Sequence, residues 1–157
     1  MTGLLEGKTA VVYGAAGGVG RSVANAFAWE GAMVFLAGRT LGSLKEVAGE
    51  IAKRGGKAEI AQVDALNPQS VQEHLQDIVS KSGKLDVSFN LISTSVGMGK
   101  ALTELTDGQF GTVMFTLVKT HFITATAEKD AIVAEVKQVK SEVDAMRYLQ
   151  KSRNMFH

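Results

Sequence analysis

The sequence contains no cysteine, a single proline and a single tryptophan. The absence of cysteine excludes disulfide bonds, thiol catalysis and thiolate metal sites, and we predict no metal centre. No apolar run reaches the length of a transmembrane helix, so we expect no membrane partner. The formal net charge is +1 and no basic run is interleaved with aromatic residues, so we expect no nucleic-acid partner either.

The first residues also lack the basic segment and apolar core of a signal peptide, so a cytoplasmic location is expected. The chain has 157 residues, of which 45% are hydrophobic and 21% charged. This length and this proportion of hydrophobic to charged residues are typical of one globular domain with a sizeable core.

The most informative stretch is the glycine-rich segment Gly14–Gly20. It follows a run typical of a buried strand, Thr9–Tyr13, and it opens an amphipathic helix over Arg21–Glu30, which a second apolar strand follows at Ala32–Ala37. Strand, glycine turn, helix and strand form the βαβ unit in which dinucleotides dock. Glycine lets the backbone approach a diphosphate closely, and the helix N-terminus supplies free N–H groups. The alternative is a turn whose glycines serve packing alone.

The alternation of strands and helices continues along the chain. We predict helices over Leu41–Arg54, Pro68–Ser82 and Phe110–Ala127, and strands over Ala58–Val63 and Leu85–Ser93. This alternation favours an α/β fold of three layers, with a parallel sheet covered by helices on both faces. Right-handed crossovers allow the strand order 3-2-1-4. His74 lies off the predicted apolar stripe of its helix and is expected at the surface.

The end of the chain has its own pattern. Apolar residues recur every three or four positions at Ile132, Val136, Val139, Val143, Met146 and Leu149. The spacing predicts a C-terminal amphipathic helix, although a fifth strand over Ala131–Val136 is the alternative. We therefore divide the chain into a domain over residues 1–127 and a helical extension over residues 128–157. The extension would pack on the open edge of the sheet or join a second copy into a homo-oligomer.

The spacing of Gly14, Gly18 and Gly20, G-x-x-x-G-x-G, resembles the short-chain dehydrogenase/reductase family. Tyr13 stands where the family usually has threonine. The resemblance covers roughly residues 4–127 and implies a Rossmann-like domain that binds a nicotinamide dinucleotide. It further implies oxidoreductase activity, with hydride moving between the nicotinamide and a carbonyl or alcohol.

The resemblance also implies a set of cofactor-binding residues: Gly14, Ala16, Gly17, Gly18, Val19, Gly20, Arg39, Asp64, Ala65 and Asn90. No carboxylate stands at the end of the second strand, where an NAD site has one, and Arg39 is suited to a 2′-phosphate. NADP is therefore the expected cofactor, in preference to NAD.

Three of these residues have other roles open to them. The family implies that Asp64 contacts adenine with help from the Ala65 backbone, but Asp64 could also cap the helix that follows. Asn90 falls in a stretch similar to the family's D-x-x-x-N pattern, and it could instead tie neighbouring strands together. Arg39 could be a solvated surface residue.

The family's catalytic residues have no recognisable counterpart here, so we leave the catalytic site unassigned. The family pairs a strand serine with Tyr-x-x-x-Lys on the next helix, whereas this chain has Tyr148 and Lys151 at a spacing of three. Leu117 stands where the family has an asparagine that supports a proton-relay water. The sequence thus leaves open an impaired or inactive oxidoreductase, a non-catalytic NADP-binding module, a dimerising interaction protein, or a piece of a longer enzyme.

Overall fold

The computed structural model describes residues 3–129. Their elements are, in order, β1 (Thr9–Tyr13), α1 (Gly18–Trp29), β2 (Met33–Gly38), α2 (Leu41–Lys53), β3 (Lys57–Gln62), α3 (Pro68–Ser82), β4 (Val87–Asn90), a short 3-10 turn (Leu102–Glu104) and α4 (residues 107–129). The predicted extension, apart from residues 128 and 129, and its alternative strand lie outside the described residues.

The four strands form one parallel sheet in the order β3-β2-β1-β4, which confirms the predicted fold class and strand order. All strands therefore end at the same edge, and the order of the chain through the sheet reverses beside β1. A crevice at such a reversal is where α/β proteins bind ligands.

Helices cover the sheet on both faces, as the three-layer prediction requires. Helices α1 and α2 pack on one face, through residues such as Ala24, Leu44 and Ile51. Helices α3 and α4 pack on the other face, through residues such as Leu75 and Ile123. All residues of β1 are buried, because this strand has a neighbour on each side and helices above and below.

The observed bounds differ from the expected ones in two informative places. Helix α1 begins at Gly18, earlier than the predicted start at Arg21, so the glycine turn itself forms the first helical residues. Strand β4 is shorter than the predicted Leu85–Ser93. Its pairing with β1 stops where Tyr13 lies opposite Asn90, because β1 ends there.

His74 is buried, so the prediction that it lies at the surface is wrong. Only 6% of the residue is exposed, and its ring meets those of Tyr13 and Phe35 edge to face, with centroids 6.3 and 6.4 Å away. Val71, His74, Leu75 and Ile78 recur at i, i+3, i+4 and i+7, so His74 belongs to the core stripe of α3. Within residues 3–129, neither His74 Nε2 nor Tyr13 Oη has a hydrogen-bond partner.

Burial governs the protonation of both groups. Burial lowers the pKa of His74, with Asp77 opposing this effect and Lys81 adding to it. Burial also raises the pKa of Tyr13, and the nearby charge of Glu128 raises it further. Both side chains are therefore neutral near pH 7, which is the form that an apolar surrounding favours.

This burial predicts that stability falls as the solution becomes acidic. An unfolded histidine titrates near its ordinary pKa of about 6.5, whereas the pKa of folded His74 is lower. The stability contributed by neutral His74 is thus complete above about pH 6.5 and is lost as the pH falls through the folded-state pKa. In urea unfolding between about pH 5 and 8, His74→Leu should flatten this dependence.

The exposed histidine of α4 supplies the control, since His121→Leu should leave the dependence in place. Asp86 titrates outside this range: burial alone would raise its pKa, but hydrogen bonds from the Thr9 N–H, Lys8 and Lys84 lower the pKa to about 2. A slope that persists unchanged in the His74 variant would show that another group causes it.

Candidate functional site

A cavity of about 500 Å³ opens at the carboxyl edge of the sheet, beside the turn between β1 and α1. Its lining includes the last residues of β1 and β2 and the residues that directly follow β3 and β4, and α4 closes one side. Among the described lining residues, Arg39 is the only cation and Asp64 the only acid. The cavity thus lies where the fold favours a ligand, and its few charges are placed at the ends of β2 and β3.

Two glycines of the turn are required by the fold itself. Gly14 has a φ of +77°, and a Cβ there would lie 2.8 Å from the carbonyl oxygen of Leu91. A Cβ on Gly20 would overlap the carbonyl oxygen of Gly14 and lie 2.9 Å from its carbonyl carbon. These two positions bring β1, α1 and the loop after β4 into close contact, which a larger residue would prevent.

Gly18 has no such packing role. A Cβ on Gly18 would meet nothing within 4 Å, and its φ is not in the left-handed region. Gly17 precedes it as the N-cap of α1, and no side chain caps the helix there. Both residues are exposed, so the first N–H groups of α1 are accessible from solvent. Packing alone therefore explains Gly14 and Gly20 but leaves Gly18 without a structural reason to be glycine.

The two arginines near the turn have different surroundings. Arg21 binds Glu46 and Glu50 of α2, at 3.2 and 3.1 Å, so it stabilises the contact between helices and does not face the cavity. Arg39 is exposed at the end of β2, where its backbone carbonyl accepts a hydrogen bond from Gln62. The Arg39 guanidinium forms no ion pair with residues 3–129 and is available to an anion in the cavity.

Asp64 stabilises a turn and does not cap α3, so that alternative is wrong. Its Oδ1 accepts a hydrogen bond of 3.0 Å from the Leu66 N–H, and its own N–H donates to Ser70 Oγ. Asn67 caps the helix by accepting from the N–H groups of Gln69 and Ser70. Asp64 is exposed, and both Asp64 and Ala65 line the cavity.

Asn90 fastens the end of β4 to its surroundings. Its side-chain amide donates to Thr124 Oγ1 at 3.3 Å, and its Oδ1 accepts from the Ile92 N–H at 3.0 Å. The Asn90 side chain therefore links β4 to α4 by a hydrogen bond, whereas the alternative from the sequence was a link between neighbouring strands. Asn90 thereby fixes the start of the loop after β4, and residues 91–95 of this loop line the cavity.

The structure brings half of the predicted binding residues into the lining. Gly14, Gly17, Arg39, Asp64 and Ala65 line the cavity, whereas Ala16, Gly18, Val19, Gly20 and Asn90 are not part of the lining. Sequence reasoning missed the hydroxyl-bearing residues of the wall: Ser93, Thr94, Ser95, Thr112, Thr116 and Thr120. The i, i+4, i+8 spacing of the three α4 threonines is the signal that could have found them.

The structure does not assign a catalytic group. Leu117, half-buried on α4, is not part of the lining, and Tyr148 and Lys151 lie outside the described residues. Residues 3–129 contain no cluster of acidic and histidine side chains that could hold a metal ion. None of the helices in this range has the length and apolar character needed to cross a bilayer.

Comparison with known proteins identifies the family. The family model described as short chain dehydrogenase matches residues 8–146, which extends past Ala127. A 7α-hydroxysteroid dehydrogenase of Clostridium sardiniense is 32% identical over 124 residues, covering 78% of this chain and 47% of that protein.

Solved structures of similar proteins belong to the same family. A short-chain dehydrogenase/reductase from Mycobacterium marinum superposes with a TM-score of 0.72 at 33% identity, covering 83% of this chain and 52% of that one. A metagenomic short-chain oxidoreductase in complex with NADP superposes with a TM-score of 0.71 at 26% identity, covering 83% and 58%. The chain spans about half the length of these relatives. Because the family model matches most of its residues, the chain belongs to the short-chain dehydrogenase family.

Proposed function

We propose that this chain binds NADP(H) in the cavity beside the glycine turn, as part of an oxidoreductase that interconverts a carbonyl and an alcohol. The observation that carries the proposal is the combination of Gly18, which packing does not require, with Arg39 as the only described cation of the lining. An uncapped helix N-terminus favours a diphosphate, and a guanidinium favours a further phosphate. The NADP complex of a solved relative supports the same cofactor.

The residues fit the parts of such a ligand. We assign the diphosphate to the N–H groups of Ala16–Gly20 at the start of α1, where Gly17, Gly18 and Val19 are exposed. When bound, NADPH supplies a hydride to a carbonyl carbon. The chain's own contribution is to hold the cofactor in one orientation.

The adenosine half is assigned to the ends of β2 and β3. Arg39 binds the 2′-phosphate and covers one face of the adenine, while Asp64 and the Ala65 backbone contact the base. Asn90 acts indirectly, because it fixes the loop that borders the cavity. NAD lacks the 2′-phosphate and would leave the Arg39 charge without its partner.

The residues that carry catalysis in the family have no clear counterparts in this chain. Leu117 cannot support a relay water, and the Tyr148–Lys151 spacing departs from the family's pattern. We propose that hydride transfer is weak or absent in this chain, while binding is retained.

Replacing Arg39 should change the preference between the two cofactors. Arg39→Ala removes a charge-assisted contact to the 2′-phosphate, so the Kd for NADPH should rise roughly 10- to 100-fold while that for NADH changes little. Calorimetric titration of both nucleotides measures the ratio. Arg54→Ala, which removes an exposed arginine after α2, is the matched control. Equal losses for both nucleotides would contradict the assignment.

Two glycine variants should separate ligand binding from packing. Gly18→Ala should leave the free energy of unfolding within about 0.5 kcal/mol of the unaltered chain, since its Cβ meets nothing, yet weaken NADPH binding roughly tenfold or more. Gly20→Ala should cost about 2 kcal/mol or more, because its Cβ would overlap the Gly14 carbonyl. Urea unfolding and calorimetry measure the two effects.

The control for both variants is Gly49→Ala, at an exposed position inside α2 with nothing within 4 Å. This change should stabilise the chain slightly and leave binding unaltered. If Gly18→Ala binds NADPH as well as the unaltered chain does, the glycine turn is not the diphosphate site.

Contact between copies of the chain is also proposed. Helix α4 exposes an apolar face that consists of Phe110, Met114, Phe115, Val118 and Phe122. We expect a homo-oligomer through this region, and sedimentation equilibrium over a wide concentration range tests it. A monomer at every concentration would contradict this part of the proposal. The cytoplasmic location stays a prediction.

A further inference from the structure

One face of α4 carries threonines in its N-terminal part and apolar residues in its C-terminal part. Thr112, Thr116, Thr120, Ile123 and Ala127 follow one another at steps of three or four residues, so they share one side of the helix. Ile123 and Ala127 are buried against the sheet, whereas the three threonines line the cavity. The stripe is thus apolar where it meets the core and hydroxyl-bearing where it passes the edge of the sheet.

The position of this threonine row follows from the layers of the fold. Helices α1 and α4 pack on opposite faces of the sheet, so the glycine turn and the threonine row border the cavity from opposite sides. The buried part of the stripe belongs to the same apolar cluster as Val63 and Ala65. The row and the Asp64–Leu66 turn thus line the same cavity, in which the turn is assigned to the adenosine half.

The three hydroxyls differ in what they already bind. Thr112 Oγ1 donates to the Gly108 carbonyl at 2.8 Å, and Thr120 Oγ1 donates to the Leu117 carbonyl at 3.2 Å. Thr120 is fully buried. Thr116 is half-buried, and its hydroxyl forms no hydrogen bond within residues 3–129. Thr116 can therefore both donate to and accept from a group in the cavity.

We propose that Thr116 hydrogen-bonds the adenosine half of the bound dinucleotide, through its base edge or its ribose, and that the threonine row forms the second wall of the site. This inference rests on the proposed function, since it assumes that the cavity holds a dinucleotide. The row closes the cavity beside the base, and the hydroxyl of Thr116 fixes the orientation of the base. Helix α4 thereby contributes to binding as well as covering the sheet.

Isosteric variants test the role of the hydroxyl. Thr116→Val keeps the shape of the side chain and should raise the Kd for NADPH roughly 3- to 10-fold, as expected for one lost hydrogen bond. The same loss should appear with adenosine 2′,5′-bisphosphate, which carries the adenosine half alone. Thr116→Ser keeps the hydroxyl and should bind as the unaltered chain does. Thr126→Val, at an exposed position of the same helix outside the lining, is the control.

Each outcome of the titrations either supports or contradicts the role of Thr116. If the unaltered chain binds NADPH and Thr116→Val binds it equally well, this inference is wrong while the proposed function stands. A loss with NADPH but not with adenosine 2′,5′-bisphosphate would overturn the assignment to the adenosine half. Absence of binding by the unaltered chain would overturn both the inference and the proposed function. If Thr116→Val unfolds, as judged by circular dichroism, Thr116→Ala is expected to show the same loss.

Discussion

The structure depends on the close approach of three backbone segments at the bend between β1 and α1. The Gly14 N–H donates to the Ala37 carbonyl at 2.9 Å, the Gly17 N–H donates to the Gly14 carbonyl at 3.0 Å, and the Leu91 N–H donates to the Tyr13 carbonyl at 2.9 Å. These bonds place the bend against the ends of β2 and β4. No side chain fits at Gly14 or Gly20, so the arrangement is available only to glycine.

This bend determines which backbone groups are available to a ligand. Because the backbone turns directly into α1, the first N–H groups of the helix point out of the edge of the sheet, where the dipole favours an anion. The parallel sheet brings the ends of β2 and β3 to the same edge, which adds Arg39 and the Asp64–Leu66 turn. Helix α4 closes the opposite side with hydroxyl groups. Each feature is modest alone, and together they support the proposed site for a dinucleotide.

Much of this architecture could be predicted because it is encoded locally. Apolar periodicity and the glycine spacing predicted the elements, and right-handed crossovers allowed the observed strand order. Three errors concern contacts between distant residues: β4 ends early because β1 ends at Tyr13, Asn90 binds Thr124 of α4, and His74 packs between Tyr13 and Phe35. Two others are local: α1 begins at Gly18, and Asn67 caps α3 in place of Asp64. The spacing of the threonine row is visible in the sequence, but only the packing of α4 on the sheet places that side of the helix at the cavity. Catalytic residues could not be predicted, since their pattern is absent from the sequence.

The central claim is that the N–H groups at the start of α1 bind the diphosphate of NADP(H). Calorimetric titration of the unaltered chain with NADPH and with NADH tests it most directly, because it needs no substrate and no turnover. The account predicts saturable binding of NADPH, with a lower Kd than that for NADH. A folded chain that binds neither nucleotide at saturating concentration would contradict it.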